Sequence, residues 1–158
     1  MRCVRRISKK IWFDKKLIAE LGGVPSDAFM GFRTSSNVLS IYYFDDDIPL
    51  PRVLAALAAT RDHLQELDFA EFPDSLLDDH NIKRELVAGE TPDTAVNAKH
   101  VNLTNLTTDQ VCGLVAGIAE KGEVRRLSKS LVRREIEVGL EKSFLQRGAM
   151  NVQLLETL

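Results

Sequence analysis

The stretch Val38-Leu39-Ser40-Ile41-Tyr42-Tyr43-Phe44 decides how this protein is assembled. Side chains alternate along an extended chain, so Leu39, Ile41 and Tyr43 share one face and the remaining apolar residues share the other. A strand that is apolar on both faces has to be covered at least partly on both sides. We therefore expect residues 38–44 to form a central strand of a sheet.

The chain around this strand predicts several further strands. Residues 29–33 and 38–44 are typical of the two arms of a hairpin, because the polar residues 34–37 form a turn signal between them. Residues 3–8 form a first strand that could run on to residue 13. Further strand candidates lie later in the chain, at residues 68–72, 82–87 and 124–127.

Local signals also predict helices in the first two thirds of the chain. Asp14 can cap a short helix that ends at Leu21. Pro49 and Pro51 suit the first turn of a longer helix that runs to about Leu67. A proline has no backbone N–H, and in the first turn of a helix that N–H would have no partner inside the helix. Residues 88–100 contain loop-forming residues, and we expect the least order in that segment.

The last third of the chain predicts two helices more clearly. Thr107 and Gln110 have the spacing of a capping box, and the helix that they begin ends at residues 121–122. Ser128 or Ser130 caps the next helix, in which Gly139 would permit a close helix contact. The predicted fold class is therefore α+β: a single domain over residues 1–158, with a small mixed or antiparallel sheet and three main helices. At least two of the helices should pack on one face of the sheet.

The near-neutral net charge hides a strong partition along the chain. The 158 residues include 21 Lys and Arg and 23 Asp and Glu, which gives a net charge of −2. Residues 1–16 carry +6, residues 17–99 carry −9 and residues 100–158 carry +1. The hydrophobic content of 44% supports a folded core and excludes a disordered chain.

The acidic middle of the chain suggests the first hypothesis for function. A surface with that charge would engage a basic partner protein, so the sequence favours a non-enzymatic binding or regulatory protein. The candidate residues of this acidic face are Asp45, Asp46, Asp47, Glu66, Asp68, Glu71, Asp74, Asp78 and Asp79.

A repeated octapeptide suggests an alternative, which is nucleic-acid binding. Residues 4–11 (VRRISKKI) and 124–131 (VRRLSKSL) agree at five positions and exchange Ile for Leu at two more. If the two segments lie side by side, their cations form one basic patch that would neutralise phosphates. That patch would consist of Arg5, Arg6, Lys9, Arg125, Arg126 and Lys129. A coincidence between two strand ends with solvated charges is the simpler explanation of the repeat.

A third hypothesis places a metal-dependent enzyme at the carboxylates Asp45, Asp46 and Asp47. They follow the central strand, and Asp27 or Glu20 could complete a set of oxygen ligands for Mg²⁺. The simpler interpretation is that these carboxylates cap the helix that follows them.

Other motifs of catalysis and targeting are absent from the sequence. It contains no G-x-G-x-x-G, no phosphate-binding loop and no G-x-S-x-G, so we expect no cofactor. The first residues lack the apolar stretch of a signal peptide, which predicts a cytoplasmic protein. Cys3 and Cys112 should then be free thiols, with Cys112 packed inward from a helix.

Overall fold

A computed structural model describes residues 1–34 and 36–158, which fold around one sheet. Its strands are β1 (Arg2–Arg6), β2 (Leu39–Phe44), β3 (Leu67–Pro73), β4 (Lys83–Leu86), β5 (His100–Thr104) and β6 (Glu123–Leu127). The helices are α1 (Lys15–Leu21), α2 (Ser26–Met30), α3 (Leu50–Ala58), α4 (Ser75–Asp79), α5 (Thr94–Asn97), α6 (Thr108–Lys121), α7 (Lys129–Glu141) and α8 (Val152–Glu156). Two short 3₁₀ turns occupy Lys10–Phe13 and Arg147–Ala149.

The strand order is β4-β5-β2-β1-β3-β6, and every neighbouring pair is antiparallel. This confirms the α+β fold class and the antiparallel form of the sheet. It also confirms that β2 is a central strand. Leu39 and Ile41 are buried on one face of β2, while Tyr42 is buried on the other.

Helices cover both faces of the sheet, which is what the two apolar faces of β2 require. On one face α2, α4 and α6 pack over a core that includes Phe72, Leu76 and Ile118. On the other face α3, α5, α7 and α8 enclose a second core around Phe69 and Ile136. Of the helices in the described ranges, none is long and apolar enough to cross a membrane.

The predicted hairpin is wrong in its first arm. Residues 26–30 form α2, which buries Ala28, and the buried Phe32 lies in the turn that follows this helix. Ser35, in the expected turn, lies outside the described residues. The neighbours of β2 are β1 and β5, so this strand pairs with distant segments of the chain and with no adjacent arm.

Helix α3 ends at Ala58, nine residues before the predicted end at Leu67. The hydroxyl of Thr60 donates to the carbonyl of Leu57 at 2.7 Å, and this side-chain bond satisfies a carbonyl at the helix end. Leu67 instead begins β3. The early end of α3 places Arg61 in a turn between α3 and β3.

Several local predictions are confirmed at the level of atoms. The Oγ1 of Thr107 accepts from the N–H of Gln110 at 3.2 Å, and the Gln110 side chain accepts from the N–H of Thr107 at 3.0 Å. Ser128 caps α7 by accepting from the N–H of Leu131. A close contact exists at Gly139, but it is made with Leu145 in the segment that follows α7 and not with another helix; an added Cβ would lie 2.8 Å from that side chain.

Three smaller predictions need correction or qualification. The first strand ends at Arg6, and Lys10–Phe13 is a 3₁₀ turn rather than an extension of β1. Cys112 lies on a helix as predicted, but it is exposed, whereas Cys3 is the buried cysteine. Residues 88–100 include helix α5 and the start of β5, and their degree of order stays a prediction.

Candidate anion-binding site

A cavity of about 720 Å³ lies at the end of the sheet where β1 finishes and β2 begins. We call it the arginine cavity, because three arginines line it. Its lining residues are Arg5, Arg6, Ile7, Ser8, Gly31, Ser40, Tyr42, Leu57, Thr60, Arg61, Gln65, Glu90 and Thr91.

The fold brings the three arginines together from two distant segments. Arg5 and Arg6 are the last residues of β1, and Arg61 belongs to the turn that the early end of α3 creates. The Nη1 of Arg5 donates to the carbonyl of Ser40 at 2.7 Å, and the Nη1 of Arg61 donates to the carbonyl of Glu66 at 2.6 Å. Each of these two guanidinium groups is thereby held in place by one of its five N–H donors.

Most donors of these arginines remain without a partner among the described residues. None of the three forms an ion pair with a carboxylate there, and the Nε atoms of Arg5 and Arg61 are buried without an acceptor. The Nε of Arg2 is also buried, but Arg2 forms an ion pair with Glu71 at 2.7 Å. Buried polar groups normally have a partner, so the Nε atoms of Arg5 and Arg61 are unusual in having none among the described residues.

The charges in the arginine cavity act against one another. Burial lowers the pKa of Arg5 to about 10, and the neighbouring charge of Arg6 acts in the same direction. Burial also lowers the pKa of Arg61, again with a contribution from the charge of Arg6, and the charge of Asp68 acts in the opposite direction. Both lowered pKa values mean that the charged guanidinium form is disfavoured in the cavity. A negative group inside the cavity would stabilise the charged form and raise both pKa values again.

The remaining lining is mostly polar, with Ile7 and Leu57 as its apolar side chains. Hydroxyl groups come from Ser8 and Thr60, and Tyr42 contributes a phenol whose pKa is raised by burial and then by the charge of Glu90. The phenol therefore stays protonated and can donate. Glu90 is the single carboxylate that lines the cavity, and it forms no ion pair with the described residues.

The two Val-Arg-Arg segments do not pair with each other in the sheet. Strand β3 lies between β1 and β6, although Ser8 of the first repeat and Lys129 of the second line one smaller cavity. Arg5 pairs in register with Ala70, whereas Arg125 pairs with Phe69. Successive side chains on β3 point to opposite faces, and Arg5 and Arg125 therefore lie on opposite faces of the sheet.

The two arginines in the second half of the patch are already neutralised by carboxylates. Arg125 forms an ion pair with Glu71 and lies over the ring of Phe69. The Nε and Nη2 atoms of Arg126 donate to both oxygens of Asp68 at 2.6 and 2.9 Å. Two lysines complete the predicted set: Lys9 lies 5.9 Å from the ring of Trp12, and Lys129 begins α7.

Most members of the predicted acidic face are paired within the chain. Besides Glu71 and Asp68, the pairs are Asp45 with Lys99, Glu66 with Arg126, Asp74 with the N-terminal ammonium, Asp78 with Arg84 and Asp79 with Lys121. Asp46 and Asp47 are exposed and form no ion pair with any described residue. The acidic residues are therefore distributed over separate ion pairs with the chain's own cations.

The carboxylates that follow β2 organise a turn. Asp45 accepts from the N–H groups of Asp47 at 3.1 Å and Ile48 at 2.9 Å, while its other oxygen contacts Lys99 at 2.5 Å. The hydrogen bond from Lys99 lowers the pKa of Asp45, as do the bonds from the backbone. Over residues 1–34 and 36–158 no group of three or more His, Cys, Asp or Glu side chains could hold a metal ion. A metal site at Asp45, Asp46 and Asp47 stays a prediction.

Sequence reasoning missed Arg61 and Glu90, which belong to no motif. The repeat identifies Arg5 and Arg6, but the sequence predicts Arg61 inside a helix that runs to about Leu67. The local signal for a turn at Arg61 is Thr60, whose hydroxyl can bond to a backbone carbonyl and so compete with the helix.

No protein-family model matches this chain, and no curated protein or solved structure is significantly similar to it. The chemistry of the arginine cavity is therefore the basis on which a function can be argued.

Proposed function

We propose that this protein is a binding protein for a small anionic ligand of the phosphate class, which occupies the arginine cavity. The observation that carries the proposal is the presence of Arg5, Arg6 and Arg61 in one cavity without a carboxylate partner among the described residues. Arg6 is exposed, whereas Arg5 and Arg61 are half-buried. Arginines without an ion pair elsewhere in the described chain, such as Arg134, are exposed.

A phosphate group suits the donors that the cavity offers. Guanidinium groups present planar pairs of N–H donors that match phosphate oxygens, and such charge-assisted bonds are about twice as strong as neutral ones. The hydroxyl of Ser8 adds a further donor. The volume of about 720 Å³ lies within the usual range for small-molecule sites.

The first sequence hypothesis, an acidic face that binds a basic protein, stays a prediction. In the described residues the free charge of that face is concentrated at Asp46 and Asp47, which lowers the electrostatic attraction available to it. A cytoplasmic location also stays a prediction.

Nucleic-acid binding remains the second candidate, because Arg5 and Arg6 belong to the first Val-Arg-Arg segment. Its predicted partners Arg125 and Arg126 are engaged by Glu71 and Asp68. A gel shift at low salt with the double variant Arg125→Glu/Arg126→Glu tests this candidate. Retention of any binding by that variant would argue against a patch made from both segments.

Titration calorimetry with inorganic phosphate tests the proposal directly. We expect Arg61→Gln to weaken phosphate binding by about tenfold to a hundredfold, the effect of removing one or two charge-assisted hydrogen bonds. Arg134→Gln is the matched control, because it removes the same charge from an exposed position on α7. Absence of phosphate binding at millimolar concentration, or equal losses in both variants, would refute the proposal.

A further inference from the structure

A second cavity of about 470 Å³ adjoins the arginine cavity. We call it the Lys129 cavity, and it shares Ile7, Ser8, Arg61 and Gln65 with the arginine cavity. Arg61 therefore lines both spaces and lies between them. An inorganic phosphate bound at one of them would leave the other empty.

The Lys129 cavity has a cation of its own. Lys129 is exposed, forms no ion pair with the described residues, and is the first residue of the 13-residue helix α7. The first-turn N–H groups of a helix lack partners inside the helix and carry the positive end of its dipole. Lys129 and the start of α7 therefore point to a place for negative charge beside Arg61.

The carboxylates of the Lys129 cavity do not cancel this charge. Asp68 and Glu66 line the space, but both are bound by Arg126, at 2.6 and 2.8 Å respectively. With each residue counted once, the five cations that line the two cavities exceed the three carboxylates by two charges. The arginine cavity has three arginines against Glu90, so the stronger of the two positions is there.

We infer that the ligand carries two phosphate groups, one in the arginine cavity and one in the Lys129 cavity, with Arg61 between them. This inference rests on the proposed function and extends it to a bisphosphorylated or polyphosphorylated small molecule. A ligand that joins both groups gains affinity because the second group binds within an already formed complex.

A single strand of nucleic acid also presents successive phosphates, but the two cavities offer its bases no platform. Proteins that bind such strands stack the bases on exposed aromatic side chains. Tyr42 is the aromatic residue that lines the arginine cavity, and it is 8% exposed, while none lines the Lys129 cavity. The small ligand is therefore favoured, and the strand becomes one outcome of the test.

The test compares the dissociation constants of inorganic phosphate and tripolyphosphate by titration calorimetry. We expect tripolyphosphate to bind at least about tenfold more tightly than phosphate, from the added charge-assisted contacts. Lys129→Gln should remove most of that advantage and leave the phosphate constant within about twofold. Lys142→Gln, at the far end of the same helix, is the matched control and should change neither constant.

Each result decides between the two proposals. If phosphate binds but tripolyphosphate binds no better, or if Lys129→Gln weakens both ligands equally, the second phosphate position is refuted and the proposed function stands. If phosphate does not bind, both fail. If a short single-stranded oligonucleotide binds more tightly than tripolyphosphate and needs Lys129, the ligand is a nucleic acid and the small-molecule inference is wrong.

Discussion

The ion pair between Arg52 and Asp93 holds residues 88–100 against helix α3. The Nε of Arg52 donates to one Asp93 oxygen at 2.7 Å, and Nη2 donates to the other at 3.0 Å. Asp93 is 1% exposed and also caps α5 by accepting from the N–H groups of Ala95 and Val96. The guanidinium group of Arg52 lies 3.8 Å from the centre of the Phe144 ring.

Replacing Arg52 by Met leaves the carboxylate of Asp93 buried without its cation. Breaking a buried pair in this way costs about 3–5 kcal/mol. Because the Arg52 side chain keeps 18% of its surface exposed, we expect the lower end, about 3 kcal/mol. For a chain of this size that corresponds to a fall in Tm of about 6–12 °C.

Urea and thermal unfolding of Arg52→Met measure this loss, and the double variant Arg52→Met/Asp93→Asn should recover much of it. The neutral amide oxygen of the introduced asparagine can still cap α5 while no buried charge remains. Lys121→Met is the matched control, because Lys121 and Asp79 form a pair whose side chains are 52% and 49% exposed. Such exposed pairs contribute about 1 kcal/mol or less.

Equal losses in Arg52→Met and Lys121→Met, within about 0.5 kcal/mol, would refute the reasoning. Amide hydrogen exchange over residues 88–100 adds a second measurement, since exchange there should accelerate in Arg52→Met if the pair holds the segment. The same data on the unmodified protein test the expectation that this segment is the least ordered.

Three further predictions concern stability and reactivity. Gly122→Ala should lower the free energy of unfolding by about 1–3 kcal/mol, because an added Cβ would lie 2.7 and 2.8 Å from two backbone carbonyl oxygens. The control is Gly23→Ala, which should change the free energy of unfolding little, because an added Cβ there meets nothing within 4 Å. A thiol reagent at neutral pH should modify the exposed Cys112 and leave Cys3 unmodified in the native protein, since burial raises the pKa of Cys3 to about 12. Rapid modification of two thiols per chain would contradict this prediction. Burial alone would raise the pKa of Asp68, but hydrogen bonds from an arginine side chain and a backbone N–H lower it overall. The stabilisation by Asp68 is therefore fully present above the ordinary pKa of an aspartate carboxyl and is lost as the pH falls through the lowered pKa. When the free energy of unfolding is measured at decreasing pH, Asp68→Asn should lose less stability than the unmodified protein.

The sequence by itself determined the elements whose signals are local. The two apolar faces of residues 38–44, the capping box at Thr107 and the cap at Ser128 all depend on residues within a few positions of one another. Side-chain alternation and helix capping operate over that range, so they can be read from the sequence. The wrong prediction of a strand at residues 29–33, where α2 covers residues 26–30, has the same origin. A short apolar run fits a strand and a helix equally well.

Only the tertiary structure decided which charges are paired and which remain free. The sequence identified two copies of Val-Arg-Arg, but the insertion of β3 between β1 and β6 gave Arg125 and Arg126 carboxylate partners and left Arg5 and Arg6 without them. Arg61 joined Arg5 and Arg6 because α3 ends early. Strand order and register depend on pairing between residues far apart in the chain, where no local pattern specifies the partner.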